Sequence, residues 1–416
     1  MKIIILGSGV LGVTTAYELG KRGFEVMVID RQATSGAETS FANGGQLSYS
    51  HGEPWASPAA LKKLPKWLFD SEAPLVFRLR ADWQMIKWGL KFLHNCTIAR
   101  AHINCVNLLR LGIYSKQCFD AIRAETGIVF DHSDKGILHL YGTDRDFDHA
   151  KRQNDFQAKF GCEQRVLSHE ECLDLEPALT HTSRRLVGGI HAFADESGDA
   201  YLFSNALAKI ATERYGVQFR YGTTIKGLHS ANKQIVAVNT DQGDLSADGY
   251  VMAMGSYSPI HLRPLGIKLP IYPMKGYSIS LPANDACPHI SITDGTHKIV
   301  YSRLGSRLRV AGTAEFAGYN AAVNEKRIAP IVKAASALFP KADWHQDLHK
   351  WGCLRPSTPD GPPVIGLTPY RNLFLNTGHG TLGWTQAAGS AVIVANLMEN
   401  KLPGIMLHGL TMERYL

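Results

Sequence analysis

Residues 2–30 read KIIILGSGVLGVTTAYELGKRGFEVMVID, and this stretch decides the fold. Lys2 to Leu6 is a short apolar run of strand type. GSGVLG turns the chain, Val10 to Arg22 carries helical spacing, and FEVMVID is a second buried strand ending at Asp30. The pattern is a βαβ unit. Gly7, Gly9 and Gly12 fall in the G-x-G-x-x-G arrangement between strand and helix. They serve a tight turn, close backbone approach to a pyrophosphate, and close packing of helix on strand. Asp30 lies 18 residues after Gly12, where a carboxylate accepts from ribose hydroxyls. The glycines alone are a weak signal, but with strand, helix and acid in place they predict a dinucleotide site contacted by Gly7, Gly9, Val10, Leu11, Gly12 and Asp30. Arg31 beside the acid is either a reader of a 2′-phosphate or, more commonly for such a neighbour, a solvated surface charge.

Bulk properties narrow the class. A chain of 416 residues, 45% hydrophobic and 19% charged, is long enough for two domains with their own cores. The net charge of +7 comes from 44 basic and 37 acidic residues that are dispersed along the chain. No run resembles a nucleic-acid arm, so no nucleic-acid partner is expected. Seven cysteines without a C-x-x-C pair argue against a disulfide framework or a zinc ribbon, so a reducing, cytoplasmic location and no metal are expected. The start imitates a signal peptide, but cleavage would remove the nucleotide motif, so it is read as retained. No apolar run reaches the ~18 residues of a spanning helix.

Further along, RQATSGAETSFANGGQLSYS (31–50) is a long loop of small and polar residues, and loops of that length inside domains are usually functional. Residues 59–126 are dominated by helical spacing, and 127–180 mix short strands with a helix near Arg145 to Phe160. In GDAYLFSNALAKIATERYG, Asp199 caps a helix of four turns. Strands follow through VQFRYGTTIKGL, QIVAVNTDQG, LSADGYVMAMGS and 270–314. A helix is predicted over Asn320 to Phe339, and LFLNTG is the last strand before a helix after Gly383. The expected architecture is α/β, a Rossmann-like cofactor-binding domain (1–58, 185–260 and 350–416) interleaved with an α+β substrate or cap domain (59–184 and 261–349).

The stretch NTGHGTLGWT (376–385) places three glycines between a strand and a helix, and AMGSYS (253–258) places Gly255 at another strand end. Ligands of open α/β sheets bind at such ends, and an extended cofactor with a large ring far from its adenine would use all three. The ordered set GSGVLG with Asp30, TSFANGGQLS, GDAYLFSNALA, AMGSYS, PMKGYS, RPSTPDGPPVIG and GHGTLGWT resembles the D-amino-acid dehydrogenase small-subunit family, within the FAD-dependent D-amino-acid oxidase and glycine oxidase superfamily. The resemblance runs essentially end to end. One departure is Asp30, where many flavoproteins carry the longer Glu.

The resemblance implies FAD as cofactor. Ser40, Asn43, Gly44 and Gly45 would line the flavin side, and Ile225 would supply backbone contacts at the adenine. Gly378, Gly380, Thr381, Leu382 and Gly383 would bring bare amides to the pyrimidine edge of the ring, where charge develops on reduction. His379 is read either as facing flavin or substrate or as a structural histidine. Arg355, ahead of a proline-rich turn, suits bidentate capture of an α-carboxylate; the alternative is a salt bridge to Asp360. Tyr277, Lys298 and Tyr301 lie in stretches that border the substrate in relatives. The implied reaction is oxidative deamination of a D-alanine-like D-amino acid to a 2-oxo acid and ammonia, with hydride to flavin N5 and electrons to a quinone or other acceptor. A secondary amine such as hydroxyproline or a sarcosine-like substrate, a nicotinamide-linked dehydrogenase, and a flavin-bearing binding or RNA-modifying protein are the rival readings. In PLVFRLRADWQMIKWGLKFLHN (74–95), Trp83, Ile86, Leu90 and Leu93 share one helical face that Arg78, Arg80, Lys87 and Lys91 are available to flank. Such faces usually pack inward; bordered by cations, this one also suits the inner face of the plasma membrane.

Overall fold

The apolar N-terminal run forms the strand Lys2–Leu6, buried from Ile3 onward because parallel partners flank it on both sides, Glu25–Ile29 and Gly249–Met252. The sheet runs Val364–Leu367, Leu373–Thr377, Gly249–Met252, Lys2–Leu6, Glu25–Ile29, Gln218–Arg220, with the first strand antiparallel and the rest parallel. The computed structural model describes residues 1–70, 73–78, 80–345 and 348–416. On one face of this sheet pack the helices Val10–Lys21, Ile98–Thr126, Ala200–Tyr215 and Gly383–Met398, and a three-stranded antiparallel sheet (Ile225–Ala231, Gln234–Thr240, Gly243–Leu245) covers the other. Asp199 caps its helix as expected, accepting from the amides of Tyr201 and Leu202.

A second sheet, of nine strands, runs His349–Ser357, Tyr272–Pro282, Arg307–Phe316, Ile299–Leu304, Ser291–Asp294, Ile137–Tyr141, Gly188–Ala192, Arg165–Ser168, with Leu75–Phe77 added alongside Arg307–Phe316. Alternation along these strands sends Leu138, Tyr277, Ile292, Tyr301 and Val310 to one face, where they pack against Ile328, Ile331 and Phe339 on and just after the Glu325–Leu338 helix. The opposite face is left for the cleft.

Several expected boundaries move. Gly188–Ala192 and His349–Ser357 belong to the nine-stranded sheet, although they fall in segments assigned to the cofactor domain. Ile98–Thr126 goes the other way. It packs on the nucleotide layer, with Phe119 edge-on to Trp384 and the Ser115 hydroxyl accepting from the Gly389 amide. The helix predicted over Asn320 to Phe339 starts at Glu325, with the Asn324 side chain as cap.

The Trp83–Asn95 helix turns Met85, Trp88 and Phe92 inward, where Trp88 stacks on Phe92 and packs against Phe316. Trp83, Ile86, Leu90 and Leu93 face outward and are 61%, 44%, 62% and 42% exposed, so the inward packing usual for an apolar face does not hold for these four. Lys87 and Lys91 stay beside that face, over the rings of Trp83 and Tyr415, while Arg78 and Arg80 turn to Glu315 and the Ala317 carbonyl.

Gly389 lies inside a helix, where alanine is ordinarily favoured by ~1 kcal/mol. A Cβ there would stand 2.9 Å from the Cα of Ser115, against backbone that has no room to retreat. Gly389→Ala therefore lowers stability, by about 1–3 kcal/mol as an overpacking substitution, and shifts the urea midpoint downward.

Candidate active site

Three chain turns leave the nucleotide sheet side by side at the carboxyl ends of Lys2–Leu6, Gly249–Met252 and Leu373–Thr377, and between them and the nine-stranded sheet opens a cleft of about 1150 Å³. At the first turn, a Cβ on Gly12 would fall 1.9 Å from the Gly7 carbonyl oxygen, and Gly7 holds φ +103°. Both positions demand glycine, one for contact and one for conformation. Gly12 therefore does not itself line the cleft; it lets the helix start close to the strand. The helix begins at Gly9 without a side-chain cap from that residue, and the Val10 amide donates to Ser40 Oγ at 3.1 Å. Asp30 accepts from the amides of Ser8 (2.7 Å) and Gln32 (2.8 Å) and lines the cleft at the strand end. Arg31 lies 4.3 Å over the Tyr257 ring and pairs with Glu38 at 2.6 Å, and it stays exposed at the rim of the cleft.

The long loop passes under the cleft. Asn43 Oδ1 accepts from the Gly45 amide, and a Cβ on Gly44 would meet Val300 at 2.6 Å, which presses this loop onto the nine-stranded sheet. Ile225 and Gly255 line the cleft from the nucleotide side. The last turn supplies Gly378, His379, Gly380, Thr381, Leu382 and Gly383, and the Gly383–Met398 helix starts with no side-chain cap. His379 is buried and contacts Ser390 Oγ at 2.9 Å; burial pushes it down to about 3, so it is neutral at working pH.

Arg355 is half-buried on the His349–Ser357 strand with its guanidinium over Gly276, where a Cβ would come within 2.8 Å of Cζ. The next residue's carbonyl, Pro356, accepts from the Gly380 amide at 2.9 Å, tying the arginine strand to the glycine turn. Asp360 is taken by Arg414 (2.8 Å) and Tyr415, and among the described residues no carboxylate pairs with Arg355. Two expected substrate residues do not reach the cleft. Tyr277 hydrogen-bonds to the Glu315 carboxylate and Tyr301 packs edge-on to Phe339, because strand alternation points both toward the Glu325–Leu338 helix.

Residues not singled out from the sequence also line the cleft, among them Glu38, Tyr257, His51, Glu53, His139, Arg145, His149 and Arg152. The spacing of Arg145, His149 and Arg152 on a single helix face was a readable signal; the strand and loop positions carried none.

The cleft fits FAD on its own geometry. A Cβ on Gly9 would meet only Ser40 Oγ, at 3.9 Å, and one on Gly380 nothing within 4 Å, so the backbone there leaves room for a ligand that side chains would occupy. Two helix N-termini whose N-cap residues supply no side-chain cap face an elongated space, a favourable setting for pyrophosphate and for a ring edge that gains negative charge; at the first, Ser40 Oγ takes only the Val10 amide.

Comparison with known proteins agrees with this geometry. The family model described as FAD dependent oxidoreductase matches residues 2–397. The chain is 46% identical over 418 residues to a D-amino acid dehydrogenase of Paramagnetospirillum magneticum, covering 100% of this chain and 99% of that one. It is also 46% identical to one of Dechloromonas aromatica, covering 97% and 98%. Among solved structures, glycine oxidase from Geobacillus kaustophilus shares the fold at TM-score 0.76 and 22% identity, covering 100% of this chain and 98% of that one. L-proline dehydrogenase from P. horikoshii does so at 0.76 and 20%, covering 100% and 97%.

Two measurements check the site. Gly9→Val should purify folded but without flavin absorbance, since the new side chain meets little protein and fills the space left for the pyrophosphate; full flavin content would contradict the assignment. His379 has a folded pKa below its unfolded value, so the stability it contributes is present above about pH 6.5 and is lost as pH falls toward about 3. His379→Gln should flatten the drop in melting temperature between about pH 7 and about pH 5.

Proposed function

This chain belongs to the FAD dependent oxidoreductase family, and from that membership and its full-length D-amino acid dehydrogenase relatives we propose that it oxidises D-amino acids to 2-oxo acids and ammonia. The observation that carries the reading is Arg355, a guanidinium held over a glycine, without a carboxylate partner among the described residues and tied to the glycine turn at the ring end of the cleft. Bound FAD would supply the two-electron acceptor for oxidation of the amine to an imine, which water would hydrolyse to the 2-oxo acid and ammonia. Arg355 holds the α-carboxylate by two parallel hydrogen bonds and so fixes the direction of the Cα–H bond. Its positive charge also disfavours the ammonium form of the substrate, leaving the lone pair available. His379, neutral and engaged with Ser390, shapes the turn and carries no proton in the reaction. The uncapped start of Gly383–Met398 offers amides where negative charge develops.

The electrons pass on to a quinone or similar acceptor, and the outward face of Trp83–Asn95 supports docking on an anionic bilayer. Four large apolar side chains stand exposed there, with Lys87 and Lys91 beside them. The inward side of the same helix, Trp88 and Phe92, borders a small cavity shared with His379–Leu382, so this face lies one layer from the reacting end of the cleft. Among the described residues no helix is long and apolar enough to cross a membrane, which leaves surface contact as the mode.

Arg355→Lys should retain FAD and raise KM for D-alanine, with kcat/KM falling by roughly 10- to 150-fold, the worth of a charged hydrogen bond of ~1.5–3 kcal/mol. Unchanged kinetics would remove Arg355 from the site. The Lys87→Glu, Lys91→Glu double variant should lose salt-sensitive binding to anionic vesicles while keeping dye-linked turnover. Rapid hydrogen peroxide formation by the parent enzyme would make oxygen the acceptor instead.

A further inference from the structure

Thr313 holds φ +45° within the Arg307–Phe316 strand, a conformation that a β-branched residue rarely adopts. The ladder to Tyr272–Pro282 shifts there: Gly276 pairs with Ala314 and Tyr277 with Gly312, so Thr313 is the extra residue of a β-bulge. Both bulge residues turn to the core side of the sheet. The Thr313 hydroxyl donates to the Arg327 carbonyl of the Glu325–Leu338 helix at 3.3 Å, and a Cβ on Gly312 would meet Ile299 Cγ1 at 2.7 Å, in the cluster packed on that helix. In an uninterrupted strand residues 311 and 314 point to opposite faces. With the bulge between them, Ala311 and Ala314 both line the cleft.

Ala314 thereby stands beside the arginine. Its partner on one side is Gly276, over which the Arg355 guanidinium lies, and on the other Leu75. At the usual spacing of about 4.8 Å between strands, the strip from Gly276 across Ala314 to Leu75 is about 10 Å long. Ala60, Leu75 and Ala314 belong to one buried apolar cluster, Trp67 packs against it, and all four line the cleft. Among the described lining residues between 54 and 77, Lys62 alone is charged. Further charge enters the cleft from other segments, Lys298 on the turn ahead of Ile299 and Glu53, which faces His149 at 3.4 Å. No residue of the strip belongs to the turns that would hold FAD.

We propose that this strip is the side-chain subsite, that it selects D-amino acids with an apolar side chain, and that Ala314 is its specificity-determining residue. The inference rests on the reading of Arg355 as the α-carboxylate anchor. A substrate held there by its carboxylate lays its side chain over the Ala314 methyl toward Leu75 and Trp67, and the apolar surface removed from water favours binding. An amide of the same shape gives up its water there to face methyl groups. The strained turn at Thr313 serves this end, since it brings a methyl to the floor beside the guanidinium.

The test uses the purified holoenzyme with a dye acceptor and three substrates, D-leucine, its polar isostere D-asparagine, and D-alanine. The parent enzyme should favour D-leucine over D-asparagine in kcat/KM by about tenfold or more. Ala314→Val, which fills the strip, should lower the ratio of D-leucine to D-alanine by about tenfold. Trp67→Ala, which removes the far wall, should lower the ratio of D-leucine to D-asparagine. A ratio left standing while all three substrates fall alike would mark a merely structural residue and overturn the proposal. Turnover of D-alanine by the parent enzyme with no preference for D-leucine over D-asparagine overturns it too, whether or not the variants fold. Absence of turnover with every D-amino acid, in a protein that still carries flavin, would instead overturn the reading of the reaction on which it rests.

Discussion

The contact of Gly12 with the Gly7 carbonyl is the constraint on which the rest of the molecule depends. Because no Cβ intervenes, the Val10–Lys21 helix starts close above the strand that precedes it, and its first amides face the cleft instead of solvent. The same side of the sheet then receives the Gly255 turn and the Gly378–Gly383 turn, whose strands run parallel to Lys2–Leu6, the first beside it and the second one further out. Parallel strands send all their carboxyl ends to one edge, so one edge collects every glycine turn. The nine-stranded sheet closes over that edge and contributes the arginine.

The two sheets divide the work by chemistry. The nucleotide layer offers backbone N–H groups at its glycine turns and helix starts, with Asp30 and Ser40 among the side chains beside them. The nine-stranded layer offers side chains, alternating along each strand so that one set builds a core with the Glu325–Leu338 helix and the other faces the cleft. Backbone groups suit a constant cofactor and side chains suit a substrate whose identity must be distinguished. The tether from Gly380 to Pro356 joins the two layers beside the Arg355 strand.

Much of the nucleotide layer was legible because its signals are local. Gly7, Gly9, Gly12 and Asp30 fall within one βαβ unit, so their spacing relative to its strands and helix could be read directly. Gly378, Gly380 and Gly383 were legible for the same reason. Tyr277 and Tyr301 were misplaced because alternation shows that a strand has two faces but not which of them meets the cleft; that depends on where the Glu325–Leu338 helix docks. The allegiance of Ile98–Thr126 was hidden in a similar way. A helix with apolar residues around much of its girth packs against whichever layer encloses it, and here Ser115 and Phe119 meet residues near 384–389. Glu53, His149 and Lys298 come from three distant segments, and only the closed sheet brings them to one wall.

The pairing of the first strand with its neighbours also governs how the protein comes into being. Lys2–Leu6 pairs locally with Glu25–Ile29, but its other neighbour is Gly249–Met252, which in turn bonds to Leu373–Thr377, so the sheet joins segments far apart in the chain. Closing loops of that length is slow, and an apolar strand held without its partners is exposed to aggregation. Residues 376–385 build one end of the cleft, so the cleft is complete only once Leu373–Thr377 has joined the sheet beside Gly249–Met252. A cofactor that binds only the closed cleft adds its binding free energy to the stability of the folded molecule.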